Sequence, residues 1–236
     1  MANNYFIFKQ FTVNQDKCAF KVGTDGVLLG ASTDISGAKK ILDIGTGTGL
    51  IALMLAQRSE AEITAIEPDN DSYEQACTNV RQSKWQDRIK VIKSELKSFN
   101  PVSSEYDLIV TNPPWFTDSL RNPDPARAAA RHNVTLDRIE LLKGVARLLA
   151  INGRFQVIMP YAEGNILIAE AREYGLFCNN ILKIRPLPSG EIRRLILTFS
   201  RTYLKPSERF LTIEHGKRHE FTTEYIGLTR DFYLKF

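Results

Sequence analysis

The chain has 236 residues, 43% of them hydrophobic, with 31 Lys/Arg against 27 Asp/Glu for a net charge of +4. This is the profile of one sizeable core domain, with at most small appendages. Mean hydropathy is negative at −0.22, and no apolar run approaches the roughly 20 residues that span a bilayer.

The opening Met1-Ala2-Asn3-Asn4-Tyr5-Phe6 lacks the basic start and long apolar stretch of a signal peptide. Cys18, Cys77 and Cys178 are odd in number and form no CxxC pair, so they read as free thiols in a reducing compartment, with no zinc or other metal site expected. A cytoplasmic location is the expectation. The charge is unevenly placed. Residues 1–150 hold 18 basic and 18 acidic residues, whereas residues 151–236 hold 13 and 9. Between 175 and 219, nine Lys/Arg face only Glu191, Glu208 and Glu214. Such a surplus suits a phosphate-bearing partner, or simply a solvated basic surface.

In chain order, Thr24-Asp25-Gly26 reads as a turn with a possible helix cap, and the first 40 residues show no helical pattern. From residue 41 short apolar runs alternate with amphipathic stretches. Ile41–Ile44 reads as a buried strand entering a glycine turn, and Leu50–Gln57 as a helix packed on a sheet. Glu62–Ile66 is a second strand, and Asp69–Arg81 a helix with Asp69 as its cap. Arg88–Ile92 and Asp107–Thr111 are the third and fourth strands. Leu136–Leu149 is a helix ending near Asn152-Gly153. Arg154–Met159 is a strand stopped by Pro160, and Ala162–Tyr174 a helix ended by Gly175. This alternation predicts an α/β fold with a mostly parallel doubly wound sheet. Asn179–Arg185 and Arg193–Ser200 are separated by an interval too short for a helical crossover, so they should form an antiparallel hairpin. Residues 1–40, 41–200 and 201–236 are expected to be, respectively, a segment over the ligand site, the catalytic domain, and a basic, aromatic tail folded on that domain.

The candidate site lies at the strand ends. Asp43-Ile44-Gly45-Thr46-Gly47-Thr48-Gly49 joins the first strand to its helix, and its glycines let a ligand approach the backbone. Asp43 there suits a cationic amino-acid ligand better than a pyrophosphate. Glu67, followed by Pro68, is placed to accept ribose hydroxyls, and Glu95 to meet an adenine amino group. The fourth strand ends in Asn112-Pro113-Pro114-Trp115. Its prolines restrict the backbone, so Asn112 and the Pro113 carbonyl can accept two N–H bonds of a planar amine while Trp115 stacks on the attached base. Read singly, these acids could be ordinary surface residues. Together they describe a site for S-adenosylmethionine beside an amine.

On these residues the chain resembles the class I S-adenosylmethionine-dependent methyltransferases that methylate amino groups, with a Rossmann-like seven-stranded sheet and the signature (Asp/Asn/Ser)-Pro-Pro-aromatic. The stretches Phe8-Lys9-Gln10-Phe11 and Cys18 to Gly30 make it similar to the bacterial enzymes that modify N6 of the adenine 3′ of the anticodon in a valine tRNA. That resemblance implies Lys21, Thr24 and Asp25 beside the cofactor. Trp115 stands where Tyr is commoner; it keeps the stacking face and lacks the hydroxyl. Phe116 would add to the stack, Arg121, Arg127 and Arg131 would touch RNA phosphates, and Arg193 and Arg194 would hold the rest of a tRNA. The rivals are ribosomal RNA N6-adenine methylation, glutamine methylation of a release factor, DNA adenine methylation, and a silent cofactor or RNA binder.

Overall fold

The computed structural model describes residues 3–18, 20–101, 105–113 and 137–236. Two short strands, β1 (Tyr5–Ile7) and β2 (Thr12–Asn14), pair antiparallel ahead of helix α1 (Thr24–Ser32). Then follow β3 (Lys40–Ile44), α2 (Leu50–Arg58), β4 (Glu62–Glu67), α3 (Asn70–Arg81), β5 (Ile89–Lys93) and β6 (Tyr106–Thr111). From residue 137 onward come α4 (Arg138–Leu148), β7 (Leu149–Pro160), α5 (Tyr161–Ala171) with a 3₁₀ turn, β8 (Phe177–Arg185), β9 (Arg194–Ser200), β10 (Ser207–Thr212) and α6 (Thr223–Thr229).

Among the described residues the main sheet has eight strands in the order β10-β8-β9-β7-β6-β3-β4-β5. The strands β5, β4, β3, β6 and β7 run parallel, and β9 is antiparallel to both β7 and β8. The predicted seven strands and C-terminal hairpin are therefore present. The eighth strand, β10, adds parallel to β8. It escapes a hydrophobic reading because its first four residues are exposed. An edge strand facing water on one side needs no apolar run.

Burial alternates along the central strands. Ile41, Leu108 and Val110 enter one apolar layer, Leu42 and Ile109 the other. A sheet buried on both faces needs this composition, and it leaves the strand ends as the place for polar chemistry.

Two expectations are corrected. Helix α4 ends at Leu148, and the chain passes at once into β7; the exposed Ile151 and Asn152 are strand residues, despite the Asn-Gly signal. The N-terminal region also contains a helix, α1, in which Gly26 to Ala31 are all buried. A helix buried on nearly every side has no polar face, so no amphipathic period reveals it. Its last carbonyls are taken by Arg58, whose Nη1 donates to Gly30 O at 2.8 Å and Thr33 O at 2.9 Å.

Helices α1 and α2 approach closely because Gly30 has no side chain. A Cβ there would lie 2.7 Å from Met54 Sδ and 3.0 Å from its Cβ. Gly30→Val is expected to lose about 1–3 kcal/mol through overpacking, read as a lower urea midpoint. An unchanged midpoint would mean that the helices are free to separate.

Candidate functional site

The carboxyl ends of β3, β4, β5, β6 and β7 open onto a cleft of about 840 Å³. Open parallel sheets bind ligands at this end, and the volume is that of a small-molecule site. Gly45–Thr48, Glu67-Pro68-Asp69, Ser94-Glu95-Leu96, Asn112-Pro113 and Ile158-Met159-Pro160 line it strand by strand. Lys21 to Gly26 form a further wall, and Arg194 closes the β9 side.

The glycine turn is shaped for close approach. Gly45, Gly47 and Gly49 have φ of 67, 56 and 82°, in the left-handed region that disfavours side chains. A Cβ on Gly45 or Gly47 would meet nothing within 4 Å, so both face open space in the cleft. Gly45 and Thr46 N–H groups donate to Ile66 O at 2.9 and 3.1 Å, which ties the turn to the end of β4.

Glu67 completes that tie. Its Oε2 accepts from Gly47 N–H at 2.8 Å and its Oε1 from Asp69 N–H at 3.1 Å. Each carboxylate oxygen keeps spare acceptor capacity, which two ribose hydroxyls could use. Burial raises the Glu67 pKa, while the two amides oppose the rise. Asp69 caps α3 by accepting from Ser72 N–H at 2.9 Å.

Asp43 differs from its expected role. It is fully buried and does not line the cleft; it stands behind the glycine turn. Its Oδ2 accepts from Thr46 Oγ1 at 2.6 Å, and the Ala52 backbone N–H in the first turn of α2 is a second donor to the carboxylate. Burial pushes its pKa up to about 7; the Thr46 hydroxyl and the Ala52 amide oppose this, and the Glu67 charge adds to it. A buried acid behind the turn and a carboxylate in the wall fit a cationic nucleoside such as S-adenosylmethionine, and fit a pyrophosphate poorly.

The remaining sites fall as follows. Glu95 lines the cleft, half exposed, with its Oε2 2.7 Å from Lys97 Nζ. Lys21 and Thr24 lie in the N-terminal wall, and Lys21 Nζ donates to Asn3 O at 3.3 Å. Asp25 and Arg194 form an ion pair at 2.7 Å on the cleft wall. Arg193, two-thirds exposed, lies 3.7 Å from Glu191. Trp115, Phe116, Arg121, Arg127 and Arg131 lie outside the described residues.

The structure also adds residues that motif reading missed. Gly26 lines the cleft where α1 meets α2: a Cβ there would sit 3.0 Å from Leu50 Cδ2, and 3.7 Å, an ordinary contact, from Asn112 Nδ2. Met159 and Pro160 belong to the lining through the same strand-end rule that found Glu67. Cys18 also lines the cleft, and burial pushes its thiol up to about 11, which leaves it protonated and unreactive at neutral pH.

A family model described as the methyltransferase small domain matches residues 22–160. A tRNA1(Val) (adenine(37)-N6)-methyltransferase from Trichodesmium erythraeum is 45% identical over 240 residues, covering all of both chains. One with the same name from Phocaeicola vulgatus is 49% identical and covers 99% of each chain. Among solved structures, a predicted O-methyltransferase from Agrobacterium tumefaciens superposes with a TM-score of 0.66 at 18% identity, over 88% of this chain and 96% of that one. That likeness speaks to the fold alone.

The raised Asp43 pKa predicts a pH dependence. The folded acid holds its proton up to about pH 7, whereas the unfolded one releases it near the ordinary value of 3.8. Between those values the native state binds more protons, so stability falls as pH rises. Asp43→Asn cannot titrate and should gain on the wild type by on the order of 4 kcal/mol between pH 4 and pH 8. Denaturant melts across that range check this, and a difference that stays constant with pH contradicts it.

Proposed function

Because the chain belongs to the methyltransferase small-domain family and matches tRNA1(Val) (adenine(37)-N6)-methyltransferases along its full length, we propose that it methylates N6 of an adenine in tRNA. The target in this reading is the anticodon-loop adenine 3′ of the anticodon of a valine tRNA, and the reaction belongs to the cytoplasm. The observation that carries the proposal is the placement of Asn112 and Pro113 at the end of β6, lining the same cleft as the glycine turn and Glu67. An amine acceptor and a nucleoside site therefore share one cavity.

S-adenosylmethionine, when bound, supplies an electrophilic methyl group. Glu67 would hold its ribose, Gly45 and Gly47 would let it approach the backbone, and Glu95 would meet its adenine; Lys21, Thr24 and Asp25 would flank it. The protein's own task concerns the poor nucleophile, since the lone pair of adenine N6 is delocalised into the ring. The Asn112 side-chain oxygen and the Pro113 carbonyl accept the two N6 hydrogens. This localises the lone pair and stabilises positive charge growing on nitrogen. Holding the base in line contributes the orientation part of the acceleration.

Thr111 steadies this end of β6, because its Oγ1 donates to Ile44 O of β3 at 2.8 Å. The acceptor turn and the glycine turn thus begin from two strands tied at their last residues. The reading requires no dedicated general base, because a methylated ammonium loses its proton readily. The target must be turned out of its stack, which costs less in a hairpin loop than in a duplex. The basic excess of residues 175–219 would hold the remaining RNA through phosphate contacts.

The test is incubation with labelled S-adenosylmethionine and, separately, tRNA, ribosomal RNA, DNA and release factor. Label in tRNA, released on digestion as N6-methyladenosine, is expected. Asn112→Ala should lower transfer by on the order of 10²–10³-fold while changing cofactor affinity little. Label only in ribosomal RNA or only in protein would replace this reading with the corresponding rival.

A further inference from the structure

Within the cleft, one cation stands on the side away from the nucleoside site. Arg194 opens β9 and pairs with Pro160, the last residue of β7. In the sheet order, β7 and β9 continue outward from β6, whereas Glu67 and Glu95 belong to β4 and the end of β5 on the opposite flank. Arg194 therefore lies two strand spacings, roughly 10 Å, from the strand that presents Asn112. That reach is comparable to the span of one nucleotide.

We propose that Arg194 receives a backbone phosphate of the target nucleotide, exchanging it for Asp25. The inference rests on the tRNA reading above. The contact that now holds the guanidinium is modest. Arg194 Nε donates to Asp25 Oδ2 at 2.7 Å, and Nη1 donates to the Arg193 carbonyl at 3.1 Å. The pair is single-pronged and both side chains are more than a third exposed, so solvent screens it and water or an anion can reach it. A phosphodiester offers two oxygens to the planar fork of an arginine, a stronger and more directional match.

The other charged residues lining the cleft are distributed differently. Glu67 and Glu95 lie towards the nucleoside flank, Lys21 in the N-terminal wall, and Lys97 beside Glu95. Glu140, at the start of α4, also lines the cleft. Arg194 is thus the cation on the β7–β9 flank among the described residues that line the cleft. Arg193, the residue before it, lies outside the lining and is two-thirds exposed. Asp25 would act here as a placeholder that keeps the guanidinium extended along the wall until RNA arrives.

The experiment compares wild type, Arg194→Gln, Arg194→Lys and Asp25→Asn with a valine tRNA transcript, at saturating cofactor and several salt concentrations. Cofactor affinity is measured separately by calorimetry. Arg194→Gln should raise the tRNA KM about ten-fold with kcat nearly unchanged and cofactor affinity intact. It should also flatten the dependence of log kcat/KM on log salt by about 0.7–0.9. Arg194→Lys should keep the salt slope and raise KM less, while Asp25→Asn, which also borders the cofactor, should keep the wild-type salt slope.

Equal defects in Arg194→Gln and Asp25→Asn with an unchanged salt slope would make the pair a structural strut and overturn the proposal. So would a loss of cofactor affinity in Arg194→Gln with the tRNA KM intact, which would assign the guanidinium to the cofactor's carboxylate. If Arg194→Gln does not fold, Arg194→Lys decides: a raised tRNA KM at intact cofactor affinity supports the proposal, and wild-type values for both overturn it. A wild type that methylates none of the RNAs removes the functional reading itself. A working wild type matched by its Arg194 variants removes only this inference.

Discussion

The bond from Gly47 N–H to Glu67 Oε2 is the constraint on which the site depends. It joins a turn that only glycine readily adopts to a carboxylate at the end of the neighbouring strand. Gly45 and Thr46 donate to Ile66, the residue before Glu67, so three backbone N–H groups of one turn converge on the end of one strand. Glu67 also accepts from Asp69, whose side chain in turn caps α3. A single acid thereby sets the height of the glycine turn, the start of α3 and one wall of the cleft. Its spare lone pairs are the part left for a ligand.

This arrangement carries an electrostatic cost. Asp43 and Glu67 are both buried, and desolvation raises both pKa values. A fold selected only for stability would avoid burying two acids so close together, since desolvated charges are expensive. The cost becomes intelligible if the cleft receives a cation, because positive charge near the turn favours the ionised acids. Stability and ligand affinity then depend on the same two carboxylates.

Much of this was legible in the residues. Buried strands two residues apart in period, helix caps such as Asp69, and glycines at a strand end are local signals, and the structure places them where those signals point. The acids at neighbouring strand ends could be recognised because a parallel sheet brings all carboxyl ends to one edge. What could not be read has a shared cause. Helix α1 is buried along most of its length, β10 is polar on an edge, and Asp43 faces inward because α2 covers it; each depends on what packs against the element. The same holds for Arg194, which sequence could place only in a basic stretch. Its position in the cleft comes from the register of β9 on β7.

The packing of the N-terminal segment reaches the chemistry. Gly30 lets α1 lie against Met54, and Gly26 lets the same helix lie against Leu50. Four residues apart, these glycines share one face of the helix. One face therefore seats α1 on α2. The first turn of α1, with Thr24 and Asp25, is then carried to the cleft wall by a rigid buried helix rather than by a loop. Asp25 reaches Arg194 from there, so the flank beyond β7 is positioned from the N-terminal wall and the β9 strand together. Substituting bulk on that face would shift the first turn of α1 and Asp25 with it, which is why the two glycines matter to the cleft although neither offers a functional group.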